Sequence, residues 1–350
     1  MNRRKAKILF VRQYKSSFIQ KDLELLKKHF EVRVMDFVLS RENLKGSLKT
    51  VFGMIKSILW ADLTFSWFAD TPAFWAVRLS KIFKKKSIVV VGGYEVAKVP
   101  EIGYGAMLNP KAARIVKYVL ENADKVLAVS EFNKKEILKY TSQKNVELVY
   151  NGVDCDKFKP QGEKEDLVIS VGYITDAVIK RKGFETFVKS ALYLPNAKFV
   201  LIGKDIDDSI KYLKPLSPSN VEFAGFVSDE DLLGYYQRAK VYCQLSMYES
   251  FGMALAEAMS CRCVPVVANK AALPEIIGDT GFCVPYGDEK ATAEAIKEAL
   301  NSNNGEEAGE RIKNIFPIER REEELVDVIN RILEDEYLDL RKIHKKRGEK

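Results

Sequence analysis

Short, almost wholly apolar segments recur along the chain, each followed by a stretch with helical spacing, and halfway along the alternation starts again. In the first run the segments are 7–11, 31–37, 63–67, 87–91, 125–129 and 146–150. Between them, Leu23, Leu25, Leu26 and Phe30 show helical spacing, as do Phe74, Val77 and Ile82, and Ile115 and Val119. In the second run the strand candidates are 167–171, 198–202, 221–223, 241–245 and 264–267, with helices beginning near Phe184, Asp229 and Gly252. Strands that are apolar on both faces and alternate with helices belong in parallel sheets covered on both sides. The pattern therefore predicts an α/β chain of two doubly wound, Rossmann-like domains. The stretch 151–166, rich in Gly, Asp, Lys and a Pro, reads as the linker. From Glu289 onward only helical patterns remain; Phe316 and Pro317 interrupt them, a charged helix follows to about Arg341, and 345–350 reads as a frayed end. Doubly wound sheets bind ligands beyond the carboxyl ends of their strands, so the loops after each strand are the places to look, in a cleft between the two domains.

Charge divides the chain in the same place. Residues 1–150 hold 28 Lys/Arg and 14 Asp/Glu, a balance of +14, and the rest carries −7 within the total of +7. A basic first half suits an anionic partner or an anionic membrane surface, and equally a solvated basic face. No zinc-finger, RNP or basic-zipper pattern occurs, which argues against nucleic acid. No apolar run reaches the roughly 18 residues of a membrane span. The basic N-terminus passes straight into a strand without a secretion-signal core, so a cytoplasmic chain is expected, with peripheral contact at the inner membrane surface as an option. Five cysteines (155, 243, 261, 263 and 283) and two histidines (His29 and His344) supply neither a disulfide framework nor a four-ligand zinc set.

Three groups of residues could carry chemistry. Glu249 and Glu257 bracket a segment in which a polar loop passes through Phe251 and Gly252 into a helix-forming run from Met253 through Ala254 and Leu255 to Met259. A helix starting after a glycine offers free N–H groups and the positive end of its dipole, which suits phosphate. Two acceptor-only carboxylates nearby suit the vicinal hydroxyls of a nucleotide sugar. The same residues also fit an ordinary cap at Ser250 with two exposed glutamates. In the second group, Gly172 and Tyr173 end a strand, and a loop leads to Lys180, Arg181, Lys182 and Gly183 at a helix start. Three cations there suit a diphosphate, or form an exposed basic turn. The third group is Gly92, Gly93, Tyr94 and Glu95 at a strand end, where paired glycines let a ligand approach the backbone, with Glu95 and Lys98 facing the cleft; a tight turn is the alternative. Asp205, Asp207 and Asp208, like Asp154 and Asp156, read as turn and cap residues more than metal ligands. Walker and Gly-x-Gly-x-x-Gly patterns are missing, and neither histidine sits near a nucleophile.

Taken together, these motifs resemble the family 4 retaining glycosyltransferases of GT-B fold over nearly the whole chain. Tyr150 to Asp154 followed by Phe158 resembles the linker signature; Ala123, Asp124, Val129 and Ser130 resemble the strand and serine before it; Lys182-Gly183 resembles the diphosphate site. The run from Glu249 to Met259, followed by Pro265 and by Pro274, Glu275, Ile276 and Ile277, is the most specific match. The resemblance implies an acceptor-side domain over 1–155, on which a helix over 318–345 packs back, and a nucleotide-sugar donor domain over 156–317. It implies that Glu257 accepts from the ribose and Glu249 from the donor sugar, that backbone N–H groups from Phe251 to Leu255 hold hydroxyls and phosphate, that Lys182 neutralises the leaving diphosphate, and that Gly225-Phe226 borders the base. The sequence departs from the family at Tyr173, where an arginine is usual and where Arg181 or Lys180 would supply the charge. It also departs at Gly92 or Gly93, where a histidine is common, and in the absent glycine-rich first loop.

The expected function is metal-independent transfer, with retention, of a hexose-type sugar from a UDP- or GDP-linked donor to a hydroxyl of a glycolipid, polysaccharide or lipid-linked acceptor. The nucleotide sugar is a co-substrate, and no cofactor is expected. A nucleotide-sugar epimerase and a non-catalytic nucleotide-sugar-binding protein remain the alternatives.

Overall fold

The computed structural model describes residues 4–37 and 44–348. Among the described residues twelve strands form two separate sheets, and every pairing between these strands is parallel. The first sheet contains β1 (Lys7–Arg12), β2 (Glu31–Asp36), β3 (Leu63–Trp67), β4 (Lys86–Val91), β5 (Lys125–Ala128) and β6 (Val146–Leu148), in the order β2-β1-β3-β4-β5-β6. The second contains β7 (Glu165–Val171), β8 (Lys198–Ile202), β9 (Val221–Gly225), β10 (Ala239–Gln244), β11 (Val264–Ala268) and β12 (Phe282–Val284), in the order β12-β11-β10-β7-β8-β9.

The central strands are buried on both faces: Ile8 to Val11, Ile88 to Val91 and Val266 to Ala268 are all fully buried. The edge strand β2 is partly open along its length, as expected of a strand with one free side. Ladder registers such as Ile8 opposite Val32 and Leu63, and Ile169 opposite Val200 and Tyr242, align these apolar residues in layers under the flanking helices.

In each sheet the strand order reverses once, between β1 and β3 and between β7 and β10. At such a point the two neighbouring crossovers run to opposite faces and leave a crevice at the strands' carboxyl ends. The two crevices face each other.

The chain passes between the halves twice at one place. Val153 donates to the Phe316 carbonyl (2.8 Å) and accepts from the Ile318 amide (2.9 Å), so the outgoing and returning segments lie side by side. The last helix, Ile318–Gly348, then runs back along the first half. Its Arg321 is fully buried and grips both oxygens of Asp22 (2.6 and 2.7 Å) while donating to the carbonyls of Val149 and Tyr150. Arg331, further along, pairs with Glu147. The helix continues beyond 345, and the side chains of 335–348, including His344, lie outside the described residues, as do residues 349–350.

Several elements differ from the sequence expectation, two of them in the second half. A seven-residue helix, Asp176–Lys182, occupies what reads as a loop, and β12 continues the second sheet past its last expected strand. Among the described residues no helix is long and apolar enough to cross a membrane.

Candidate functional site

A cavity of about 250 Å³ lies where the two crevices meet. The first half contributes an apolar, aromatic wall of Phe18, Trp67 and Tyr104. The second contributes Lys182, Gln244 and Glu249, and then the start of the helix Met253–Ser260.

Glu249 is the hub. One carboxylate oxygen, Oε1, accepts from Arg181 (3.1 Å), Lys182 (3.2 Å), Gln244 (3.0 Å) and the Ser246 hydroxyl (3.2 Å). Side-chain exposures of Arg181, Lys182 and Glu249 are 18%, 15% and 16%. Burial by itself would raise the Glu249 carboxyl, but the two cations hold it below its ordinary value. Burial also lowers the Lys182 ammonium, against the pull of Glu249. Two cations against one carboxylate leave one excess positive charge beside the cavity.

The local sequence explains how Lys182 gets there. Lys180, Arg181 and Lys182 form the last turn of the helix Asp176–Lys182, which Thr175 caps by accepting from the Val178 amide. This corrects the expectation of a helix start: cations collect at a helix C-terminus, where the dipole is negative. The next helix, Phe184–Ser190, begins only after Gly183. The Lys182 stem crosses directly over Gly172 at the end of β7, where an added Cβ would stand 2.7 Å from Lys182 Cδ. Only glycine leaves that path open.

The helix Met253–Ser260 has no side-chain cap, and its first residues, with Gly252, line the cavity. Ser250 does not cap it. Its carbonyl instead accepts from the Ser130 hydroxyl (2.6 Å) across the domain junction, and neither glutamate is exposed. Glu257 lies further along the helix, outside the cavity lining. It is half-buried, with the Tyr236 hydroxyl 3.5 Å away, and burial pushes its carboxyl up from 4.5 to about 7. Phe251 and Leu255 are core residues, packed inward. Tyr173 (63% exposed) and Phe226 (74% exposed) stand open at the ends of β7 and β9.

On the first-half side, Gly92 lines the cavity, and Gly93 meets the second half so closely that a Cβ would stand 1.5 Å from Ser250 Oγ. The Tyr248 hydroxyl donates to the Gly93 carbonyl (3.3 Å). Glu95 does not face the cleft as expected. Its carboxylate turns back on the chain and accepts from the amides of Ala69, Gly92 and Gly93, because buried N–H groups at the strand end need partners. Tyr94 and Lys98 are exposed.

Asn151 escaped the sequence reading. It is 7% exposed, lines the cavity, and its Oδ1 has no hydrogen-bond partner. A buried, unpaired amide oxygen is costly unless a ligand hydroxyl completes it. Its place in a linker with turn composition hid it.

The two halves are also latched. The Glu275 carboxylate accepts from the amides of Glu131 (2.8 Å) and Phe132 (3.0 Å), at the N-terminus of the helix Glu131–Leu138. Replacing Glu275 by alanine should remove about 1–2 kcal/mol of closure. Hydrogen exchange checks this: amides 131 and 132 should exchange at least severalfold faster, and unchanged protection would show that the latch carries nothing.

Among the described residues no three His, Cys, Asp or Glu side chains gather as a metal site would need. Asp207 is engaged with Ser209 and the Asp176 amide, and Asp154 with Lys21. The five cysteines are unpaired.

The fold, two doubly wound sheets facing across a cleft, is the GT-B architecture. Residues 154–316 match the family "Glycosyl transferases group 1" and residues 20–157 match "Glycosyltransferase Family 4", and the chain belongs to these glycosyltransferases. It is 26% identical over 207 residues to O-antigen chain mannosyltransferase B of Escherichia coli, covering 54% of each chain. It is 27% identical over 258 residues to the capsular polysaccharide biosynthesis glycosyltransferase CapM of Staphylococcus aureus, covering 63% of this chain and 66% of that one. These matches thus span about half to two thirds of the relatives' length. Among solved structures, sucrose-phosphate synthase from Thermosynechococcus elongatus superposes with a TM-score of 0.75 at 18% identity, covering 94% of this chain and 100% of that one. HepE of Anabaena, in complex with UDP and glucose, does so with a TM-score of 0.75 at 17% identity, covering 93% and 99%.

Proposed function

We propose that this glycosyltransferase moves a hexose-type sugar, with retention, from a nucleoside diphosphate carrier to an acceptor hydroxyl. The observation that carries the reading is the buried cluster in which Lys182 and Arg181 share one oxygen of Glu249 beside an uncapped helix start. The excess positive charge and the free N–H groups suit a diphosphate that gains charge as it leaves, and the proposal therefore assigns no metal. A cavity of about 250 Å³ suits the sugar ring, stacked on the aromatic wall with hydroxyls on Asn151 and Glu249, while the nucleoside lies outward toward Phe226 and Glu257. The acceptor oxygen attacks the anomeric carbon on the face from which the diphosphate departs. As the carbon–oxygen bond to phosphate breaks, the acceptor proton passes to the departing phosphate.

UDP in the HepE complex supports a UDP-linked donor, with a GDP-linked one as the alternative, and the O-antigen and capsular-polysaccharide names of the relatives support a glycan acceptor, free or lipid-linked. The +14 of the first half supports contact with an anionic membrane, which should weaken as salt is raised from about 0.05 to 0.5 M in liposome sedimentation; salt-independent binding would contradict it. Incubation with nucleotide sugars tests the activity: diphosphate release that rises with an acceptor supports transfer, whereas an epimerised free sugar without acceptor would overturn it.

Glu257 makes a pH prediction. Its folded value, about 7, lies above its ordinary 4.5, so between these the unfolded chain loses the proton first. Stability is therefore full at low pH and falls as pH rises through about 7. Thermal melts from about pH 5 to about pH 8 should show wild type losing ground to Glu257→Gln; a constant difference would refute the assignment.

A further inference from the structure

A second cavity, of about 390 Å³, opens beside the first on the same rim of the first half. Its walls are Phe68, Ala106, Ala112, Ile115 and Val116, and the half-exposed Tyr14 and Tyr94 line it toward solvent. Among the described residues no lysine or arginine lines it, although the half that carries it is strongly basic. The carboxylic acids among its described lining residues are Glu95, already satisfied by three backbone amides, and Asp70. Burial and the neighbouring Glu95 push the Asp70 carboxyl up to about 7, so the floor resists carrying charge. An anionic headgroup finds no cation among the described lining residues, and the polar groups (Asp70, Thr71 and the two tyrosine hydroxyls) sit among apolar walls that a bare sugar would not match.

The cavity adjoins the cleft without sharing a lining residue with it. Gly92 lines the cleft while its amide donates to Glu95, which lines the second cavity. Tyr94 stacks edge-on against Tyr104 (5.2 Å), which lines the cleft and stacks in turn on Tyr248 (5.5 Å). A molecule whose hydroxyl enters the cleft from the first half would lay its remaining part here.

We infer that this cavity binds the apolar, uncharged part of the acceptor, an alkyl or prenyl-like chain attached to the hydroxyl-bearing group. The inference rests on the transferase reading for the word acceptor but not for the pocket itself.

Isothermal titration of the full chain with butyl, hexyl and octyl β-glucopyranosides, below their micelle concentrations and without nucleotide sugar, tests it. Affinity should tighten roughly fourfold per methylene group until the cavity is full. Ala112→Trp, which fills the cavity from a half-buried position, should flatten this dependence, and Ile115→Asp should weaken octyl glucoside most. Circular dichroism identifies a variant that fails to fold, in which case the other carries the test. Affinity independent of chain length, or the same dependence in both folded variants, would overturn the inference. Chain-length dependence without sugar transfer to octyl glucoside from any nucleotide sugar would leave the pocket standing and remove its role in holding the acceptor. Transfer without chain-length dependence would remove the pocket and leave the transferase reading standing.

Discussion

Replacing Lys182 by alanine is expected to reduce sugar transfer by a factor of about 30 to 1,000, equivalent to about 2–4 kcal/mol of transition-state stabilisation. The loss should fall mainly on kcat, because the charge Lys182 meets is the one that grows as the diphosphate leaves. The fold should survive. Without Lys182, Glu249 keeps Arg181 at 3.1 Å, Gln244 at 3.0 Å and Ser246 at 3.2 Å, so no buried carboxylate is stranded. Steady-state kinetics with an unchanged melting midpoint would match this. A wild-type kcat in the variant would remove Lys182 from the mechanism.

The largest stability effect should come from Arg321→Met. The Arg321 and Asp22 side chains are 3% and 1% exposed, and removing one partner leaves the other charge buried. Such a loss costs about 3–5 kcal/mol. Arg321 also satisfies the carbonyls of Val149 and Tyr150, and Asp22 accepts from the Trp67 indole (2.9 Å), so the pair fixes the returning helix and one wall of the cleft. Urea unfolding should show the full penalty for Arg321→Met and a smaller one for the double variant Asp22→Leu/Arg321→Met, which strands no charge. A penalty below about 1 kcal/mol for the single variant would show that the pair does not clasp the returning helix.

Both sheets were legible because parallel strands buried on two faces write themselves as apolar runs. Leu63–Trp67 and Lys198–Ile202 stand at the expected residues, and the others differ by a residue or two at their ends. What escaped was short or tertiary. The helix Asp176–Lys182 is under two full turns, too brief for a period to show, although Thr175 followed by Asp176 is a recognisable cap. β12 has only three residues. The exception is the helix Leu44–Trp60, which is 17 residues long and lies outside the helical spacings read from the sequence.

At the site, residue types were legible and partners were not. Lys182 and Glu249 stand 67 positions apart, and nothing local says that one oxygen takes four donors. Paired glycines before Glu95 read as an opening toward a ligand, whereas the carboxylate closes on their own amides. Asn151 carries the opposite lesson: an unremarkable linker residue holds the unpaired atom that points to a ligand.

The central claim is that Lys182 and Arg181 hold the diphosphate of a nucleotide donor at this cleft. Thermal unfolding of wild type and Lys182→Ala with UDP, GDP and ADP, each well above its dissociation constant, tests it most directly, since a ligand that binds only the folded state raises the midpoint. One of the uridine and guanosine diphosphates should stabilise wild type by several degrees, and Lys182→Ala should lose most of that shift. No shift with any of the three, or an equal shift in both proteins, would contradict it.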